Sequence, residues 1–231
     1  DTSPDDDDDN DDESPVDILS YVDPHVGTGG IGYGYAASYP AAKTPFGMMS
    51  LGPDTTLYGF NWTKQHFSGY YYPDTQIRGF SHTHLQGTGA SDYGCLLVMP
   101  MNKKPAGAIS EATFRSGYSH GSEQDTAGYY SVFLDDPKVI AEMTADNYGG
   151  IHRYTYTDGD PYFIVYPSYS IETGKWVRNA TVEIDVENQT VSGMFDFAGE
   201  MSGRFDGFLF YYEIQFDQPF TDYGTWKDGV G

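Results

Sequence analysis

The sequence has a single cysteine, Cys95, in 231 residues. That excludes an internal disulfide framework and leaves both an exported and a cytoplasmic setting open. No run of eighteen apolar residues occurs, which excludes a transmembrane helix, and no signal-peptide pattern is visible. Basic residues are scarce: 12 Lys and Arg face 34 Asp and Glu, for a formal net charge of −22. Residues 1–17 hold ten of the acidic side chains and no base, and the remainder still carries about −12. A body this acidic has no Lys/Arg patch to neutralise phosphates, so nucleic acid is excluded as a partner. A neutral ligand or a divalent cation fits better. The 3.6-residue helical period is almost missing, and so is a Gly-x-Ser-x-Gly nucleophile elbow. The glycine-rich stretch from Gly27 to Gly34 lacks the lysine and the strand–helix context of a phosphate loop, and reads instead as a loop shaping a pocket rim.

Aromatics and turn formers are abundant. Tyr 21, Phe 14 and Trp 3 supply a core, while Gly 28 and Pro 13 supply many turns. Residues 1–19 form an acidic linker, expected to be disordered because like charges repel and nothing apolar is available to bury. Such a tract suits a tether to a lipid-anchored, exported domain. Residues 20–231 read as one domain. Strands are expected at Pro45–Leu51 (closed by a Gly52-Pro53-Asp54 turn), Cys95–Pro100, Tyr129–Leu134, Val139–Thr144, Ile151–Thr157, Tyr162–Tyr166, Thr181–Val186, Thr190–Phe195 and Phe208–Phe216. Turn signals at Asp135-Asp136-Pro137, Asp146 to Gly150 and Asp158-Gly159-Asp160-Pro161 separate them. Short strands at this spacing predict an all-β fold, a large antiparallel β-sandwich. The loop of residues 55–75 carries Trp62, His66 and Tyr70-Tyr71-Tyr72, which serve either as core plugs or as rings that stack on apolar sugar faces.

The chemistry concentrates in Gly79-Phe80-Ser81-His82-Thr83-His84-Leu85-Gln86-Gly87-Thr88-Gly89-Ala90-Ser91-Asp92. A strand with His at i and i+2 turns both imidazoles to one face. Three readings stay open. His82 and His84 could ligate a transition metal with Asp92, His66 or His25 as a third ligand. A cupin-like site would add a glutamate soon after, and here none occurs until Glu111. The pair could bind sugar hydroxyls, since neutral imidazole both donates and accepts. Or it could be hydrogen-bonded into a loop scaffold. Asp92, Glu123, Asp125 and Asp146 are the candidate carboxylates for glycoside hydrolysis, and their spacing singles out no pair. Cys95 opens an apolar run and reads as a small buried hydrophobe.

Several blocks follow one another along the chain: Val22-Asp23-Pro24-His25-Val26-Gly27-Thr28; Thr44-Pro45-Phe46-Gly47-Met48 with Gly52-Pro53-Asp54-Thr55; Ser68-Gly69-Tyr70-Tyr71-Tyr72; the histidine motif; Ala127-Gly128-Tyr129-Tyr130; Ala141-Glu142-Met143-Thr144; and His152-Arg153-Tyr154. Together they resemble the N-terminal domain of glycoside hydrolase family 92, the exo-acting α-mannosidases, over roughly residues 20–231. The resemblance implies a galactose-mutarotase-like supersandwich packed on a C-terminal (α/α)6 barrel, with the active site between them. It implies a calcium ion that helps distort the mannose, cleavage with inversion, and a general acid and base that belong to the barrel. In a mannose-containing glycan complex, His82, His84, Asp92, Trp62 and His25 would line or support the pocket, with no catalytic residue and no metal site within this chain. Further sandwich strands and the barrel are expected beyond Gly231, so the chain is expected to be an inactive fragment of an exported, periplasmic or cell-surface enzyme. A stand-alone carbohydrate-binding module is the alternative. Three positions depart from the family pattern: Cys95 stands where Asp is usual, His25 where Phe is commoner, and Asn147-Tyr148 where an Arg often precedes the His152 segment.

Overall fold

The computed structural model describes residues 16–30, 37–56, 66–87, 89–171 and 176–227. The acidic tract of residues 1–15 and Trp62 lie outside them. The described strands are β1 (Gly52–Thr56), β2 (Gln76–His84), β3 (Tyr93–Met101), β4 (Ser116–Gly117), β5 (Gln124–Thr126), β6 (Tyr129–Leu134), β7 (Val139–Ala145), β8 (Gly150–Tyr156), β9 (Tyr162–Tyr166), β10 (Val177–Arg178), β11 (Glu183–Asp185), β12 (Thr190–Phe197) and β13 (Phe208–Gln215). Every pairing is antiparallel, in three sheets. The first runs β1-β2-β3-β9 with β4 also on β2, the second runs β5-β6-β7-β8, and the third gathers β10, β11 and β13 around β12. The fold is an all-β sandwich, and no described helix is long and apolar enough to cross a membrane.

Side-chain alternation explains the second sheet. Val139, Ala141 and Met143 of β7 are buried while Ile140 and Thr144 face outward. That period-two pattern gives the strand one apolar face for the core. The central strand β3 behaves differently because it is covered on both sides. Leu97, Val98 and Met99 join the main core with Val132, Leu134, Ala141 and Met143. Cys95 and Leu96 join a second cluster with Val191, Phe195, Phe197 and Tyr212. A strand without a solvent face needs no alternation, hence its continuous apolar run. Burying each such Leu, Val or Met side chain contributes roughly 1.5–3 kcal/mol.

One stretch differs from its sequence reading. Pro45–Leu51 is not a strand: Pro45-Phe46 form a turn, Phe46 is fully exposed, and only Leu51 makes an isolated bridge, to Ala42. The expected Gly52-Pro53-Asp54 turn is instead the start of β1, buried and paired with Ser81, Phe80 and Gly79 of β2. Proline has no amide proton, so a strand can hold it at a sheet edge, which is where β1 lies. Elsewhere the strands keep their expected places to within a residue or two at either end, with Thr181–Val186 shortened to β11.

A cleft of about 2800 Å³ opens beside β8, β9 and β13. His82, Thr83 and Leu96 from the first sheet, and His152 and Tyr154 from β8, belong to its wall.

Candidate functional site

The histidine motif occupies the end of β2, where the strand stops being regular. The register slips between Phe80 and His82, and Thr83 takes a left-handed φ of 64°. The i, i+2 rule that would put both imidazoles in one setting assumes a regular pleat. Here the two rings share no hydrogen-bond partner.

His82 belongs to the cleft. Its Nδ1 lies 2.7 Å from the Leu96 carbonyl, and its Nε2 lies 3.2 Å from Nε2 of His152. Nδ1 of His152 is in turn 2.8 Å from the Tyr154 hydroxyl. Burial pushes the His82 pKa down to about 4 against the partial support of the Leu96 carbonyl. Burial, and then the facing His82, push His152 well below the ordinary value too. Both rings are therefore neutral.

His84 turns away from that partner set into a closed polar nest. Nδ1 lies 2.9 Å from the Ser50 carbonyl, and Nε2 lies 3.1 Å from Asp54 Oδ1 and 2.7 Å from Ser81 Oγ. Its ring stacks on Tyr39 at 3.7 Å. Both His84 and Asp54 side chains are fully buried. Gly69 packs against this pair so closely that a Cβ there would fall 2.1 Å from Asp54 Oδ1.

Asp92 is buried, and both of its oxygens accept hydrogen bonds. Oδ1 accepts from the Tyr93 amide (2.9 Å) and the Ser202 hydroxyl (2.9 Å), and Oδ2 accepts from the Met201 (2.7 Å) and Ser202 (2.6 Å) amides. It clamps the turn after β12 to the start of β3. Cys95 is buried, with Sγ 3.3 Å from Thr83 Oγ1, and burial raises its thiol to about 12, so it packs as a protonated, inert side chain.

His25 sits in a second group of titratable side chains. Its Nδ1 is 3.0 Å from Asp125 and its Nε2 3.8 Å from Glu123. The neighbouring carboxylates, Asp125 first and then Glu123, raise its pKa to about 10 in spite of partial burial. Glu123 also accepts from Tyr130 (2.6 Å), from Tyr70 (3.2 Å) and from His120 Nδ1 (2.5 Å). Burial alone would raise the Glu123 carboxyl, but the nearby His25 and the hydrogen bonds of Tyr130 and His120 outweigh it and hold the pKa low. Tyr70 is thus a core plug, whereas the neighbouring Tyr72 is exposed and stacks on His120 at 4.0 Å.

Of the four candidate carboxylates, Glu123 and Asp125 meet at His25. Asp92 stands apart from them, and Asp146 caps its own turn by accepting from the Tyr148 and Gly149 amides. None of the four lines the cleft. His66 pairs with Asp74 at 2.5 Å instead of joining His82. His152, Tyr154 and Asp54 stand in blocks visible in the sequence, but nothing local pairs them with His82 or His84, because each comes from another strand.

Antiparallel sheets beside a wide cleft lined by histidines and tyrosines define a β-sandwich domain, and comparison with known proteins supplies its family. The glycosyl hydrolase family 92 N-terminal domain matches residues 21–231, and the chain belongs to that family. A solved family GH92 alpha-mannosidase from Bacteroides thetaiotaomicron is 31% identical over 78% of this chain and 24% of its own, with a TM-score of 0.64. A family GH92 inverting mannosidase from the same organism is 26% identical over 79% of this chain and 23% of its own, at 0.63. An uncharacterised secreted glycosidase of Arthroderma benhamiae is 26% identical over 148 residues, 61% of this chain and 17% of that protein. The chain therefore spans about a quarter or less of the length of these relatives.

Proposed function

We propose that the chain builds the substrate-side wall of an exo-acting α-mannosidase that cleaves mannose-containing glycans with inversion. The observation that carries this reading is the likeness to the solved alpha-mannosidase, 31% identical at a TM-score of 0.64. The cleft is consistent with it. Exposed Tyr211 and Tyr223 stand in its wall as flat faces for a sugar ring, beside the neutral His82 and His152. In this reading the general acid and base come from an (α/α)6 domain outside this chain. Each candidate carboxylate here is already committed: Asp92 to backbone amides, Glu123 to two tyrosines and histidines, Asp125 to His25, and Asp146 to its own turn.

Calcium takes six to eight oxygen ligands. Among the described residues no group of three or more His, Cys, Asp or Glu side chains is placed to hold a metal. These residues do not by themselves fit a calcium ion. The secreted fungal relative supports an exported location, with the acidic N-terminal tract as tether. Mass spectrometry of the native N-terminus tests that tether, and an unmodified cytosolic start would remove it.

The activity test compares two proteins. The chain alone should release no mannose from α-mannobioses or an aryl α-mannoside. The chain continued by a family 92 barrel domain should release it, as the β-anomer by NMR, and lose activity with a calcium chelator. Turnover by the chain alone would sink the reading, as would cleavage of glucosides in preference to mannosides. Saturable mannoside binding by the chain, with no turnover in any longer form, would leave a binding module instead.

A further inference from the structure

Two imidazoles in the cleft are arranged as metal ligands are. His82 on β2 and His152 on β8 lie 70 residues apart in sequence and come from different sheets, yet their Nε2 atoms are 3.2 Å apart. Their ring centroids are 5.2 Å apart. The other nitrogen of each ring is tied to an oxygen. Nδ1 of His82 faces the Leu96 carbonyl at 2.7 Å. A carbonyl can only accept, so Nδ1 carries the proton and Nε2 keeps its lone pair. Nδ1 of His152 faces the Tyr154 hydroxyl at 2.8 Å, and a hydroxyl can serve either role.

With no ion between them, His152 Nε2–H donates to His82 Nε2 and the Tyr154 hydroxyl donates to His152 Nδ1. Moving the one ring proton of His152 from Nε2 to Nδ1, with the hydroxyl turning to accept it, leaves both Nε2 atoms with free lone pairs. Neither ring changes charge. In metal-bound histidine the non-ligating nitrogen is held in this way, by a carbonyl or another oxygen that fixes tautomer and orientation. Two nitrogens, each about 2.0–2.1 Å from a tetrahedral ion, stand about 3.3 Å apart, close to the spacing found. Tyr154 is itself anchored against the core, with its ring 6.5 Å from that of Phe80.

We infer that His82 and His152 form a binding site for a borderline divalent transition-metal ion of the zinc, copper(II) or nickel class, which bridges their Nε2 atoms and completes its shell with water from the cleft. No third His, Cys, Asp or Glu ligand joins them among the described residues, so the ion exchanges freely and is not a structural one. Imidazole nitrogen favours such ions over calcium, which seeks oxygen. The inference rests on these side chains and does not depend on the mannosidase reading.

Cobalt(II) is the probe, because imidazole ligation shifts and strengthens the weak visible d–d band of the aqueous ion, and that shifted band is the readout. Titrating the full chain should give a band that saturates at one ion per chain. Zinc should bleach it and calcium should not. His152→Gln and His82→Gln should each weaken binding by about tenfold or more, and Tyr154→Phe, which removes the oxygen behind His152, by about tenfold. His25→Phe should leave the titration unchanged. Circular dichroism checks that each variant folds, and should the buried His82→Gln fail, the half-buried His152→Gln decides. Absence of a band in the parent chain would overturn the site. So would an undiminished band in folded His152→Gln, or displacement of cobalt by calcium.

Discussion

Two histidine groups in this domain hold opposite charge states, and the partner of each ring decides which. In the cleft, His82 and His152 face a carbonyl, a hydroxyl and one another. Nothing there repays the cost of burying a cation, so both stay neutral. At the other group, His25 faces Asp125 and Glu123 and stays protonated, with its pKa raised to about 10. Burial acts against the charged form in both places. Carboxylates overcome it and neutral oxygens do not. The His25 group is thus held by charge and the His82 group by ordinary hydrogen bonds, and substitutions should separate them.

The largest effect should come from Glu123→Ala. The Glu123 side chain is almost completely buried and serves His120, Tyr70 and Tyr130 while facing His25. Removing it strands those partners, and a broken buried ion pair costs about 3–5 kcal/mol. Urea unfolding should show a loss of that order. A loss under about 1 kcal/mol would mean that the group is not held by charge.

Next comes the pH dependence of stability. His25 has a folded pKa near 10 against an ordinary 6.5. A raised base contributes fully below its unfolded pKa, and the contribution drains away as pH climbs from about 6.5 through about 10. His25→Phe should flatten the fall in unfolding midpoint across that window. A variant that keeps the full slope would show that His25 is not protonated at neutral pH. Because the ring is partly exposed, solvent screening makes this effect smaller than that of Glu123→Ala.

These groups were only half legible beforehand. The hairpin of β6 and β7 and its successor β8 could be read because β6 is rich in aromatic and branched residues, burial alternates along β7 and β8, and Asp135-Asp136-Pro137 and Asp146 to Gly150 mark the turns. β3 could be read from its unbroken apolar run. β1 could not, since Gly52-Pro53-Asp54 carries the residues of a turn and becomes a strand only because β2 lies alongside to pair with it. In the site, the doublet His82 and His84 was visible as a doublet. The left-handed Thr83 that separates their surroundings was not, because threonine gives no local sign of such a conformation. His152 and Glu123 were each in view, but what faces them is set by sheet packing over long sequence separations.

The finest test sets two tyrosines against each other. Tyr130→Phe and Tyr154→Phe remove one hydroxyl apiece and keep the ring, so packing changes little. The Tyr130 hydroxyl donates to the Glu123 carboxylate at 2.6 Å. A hydrogen bond to a charged group is worth about 1.5–3 kcal/mol. The Tyr154 hydroxyl meets the neutral His152 at 2.8 Å. A neutral bond is worth about 0.5–1.5 kcal/mol. In metal-free buffer, Tyr130→Phe should therefore cost about 1 kcal/mol more than Tyr154→Phe. Equal losses would place the same kind of hydrogen bond on both sides and erase the distinction. A larger loss for Tyr154→Phe would reverse it, with the charged group in the cleft and the neutral one around Glu123.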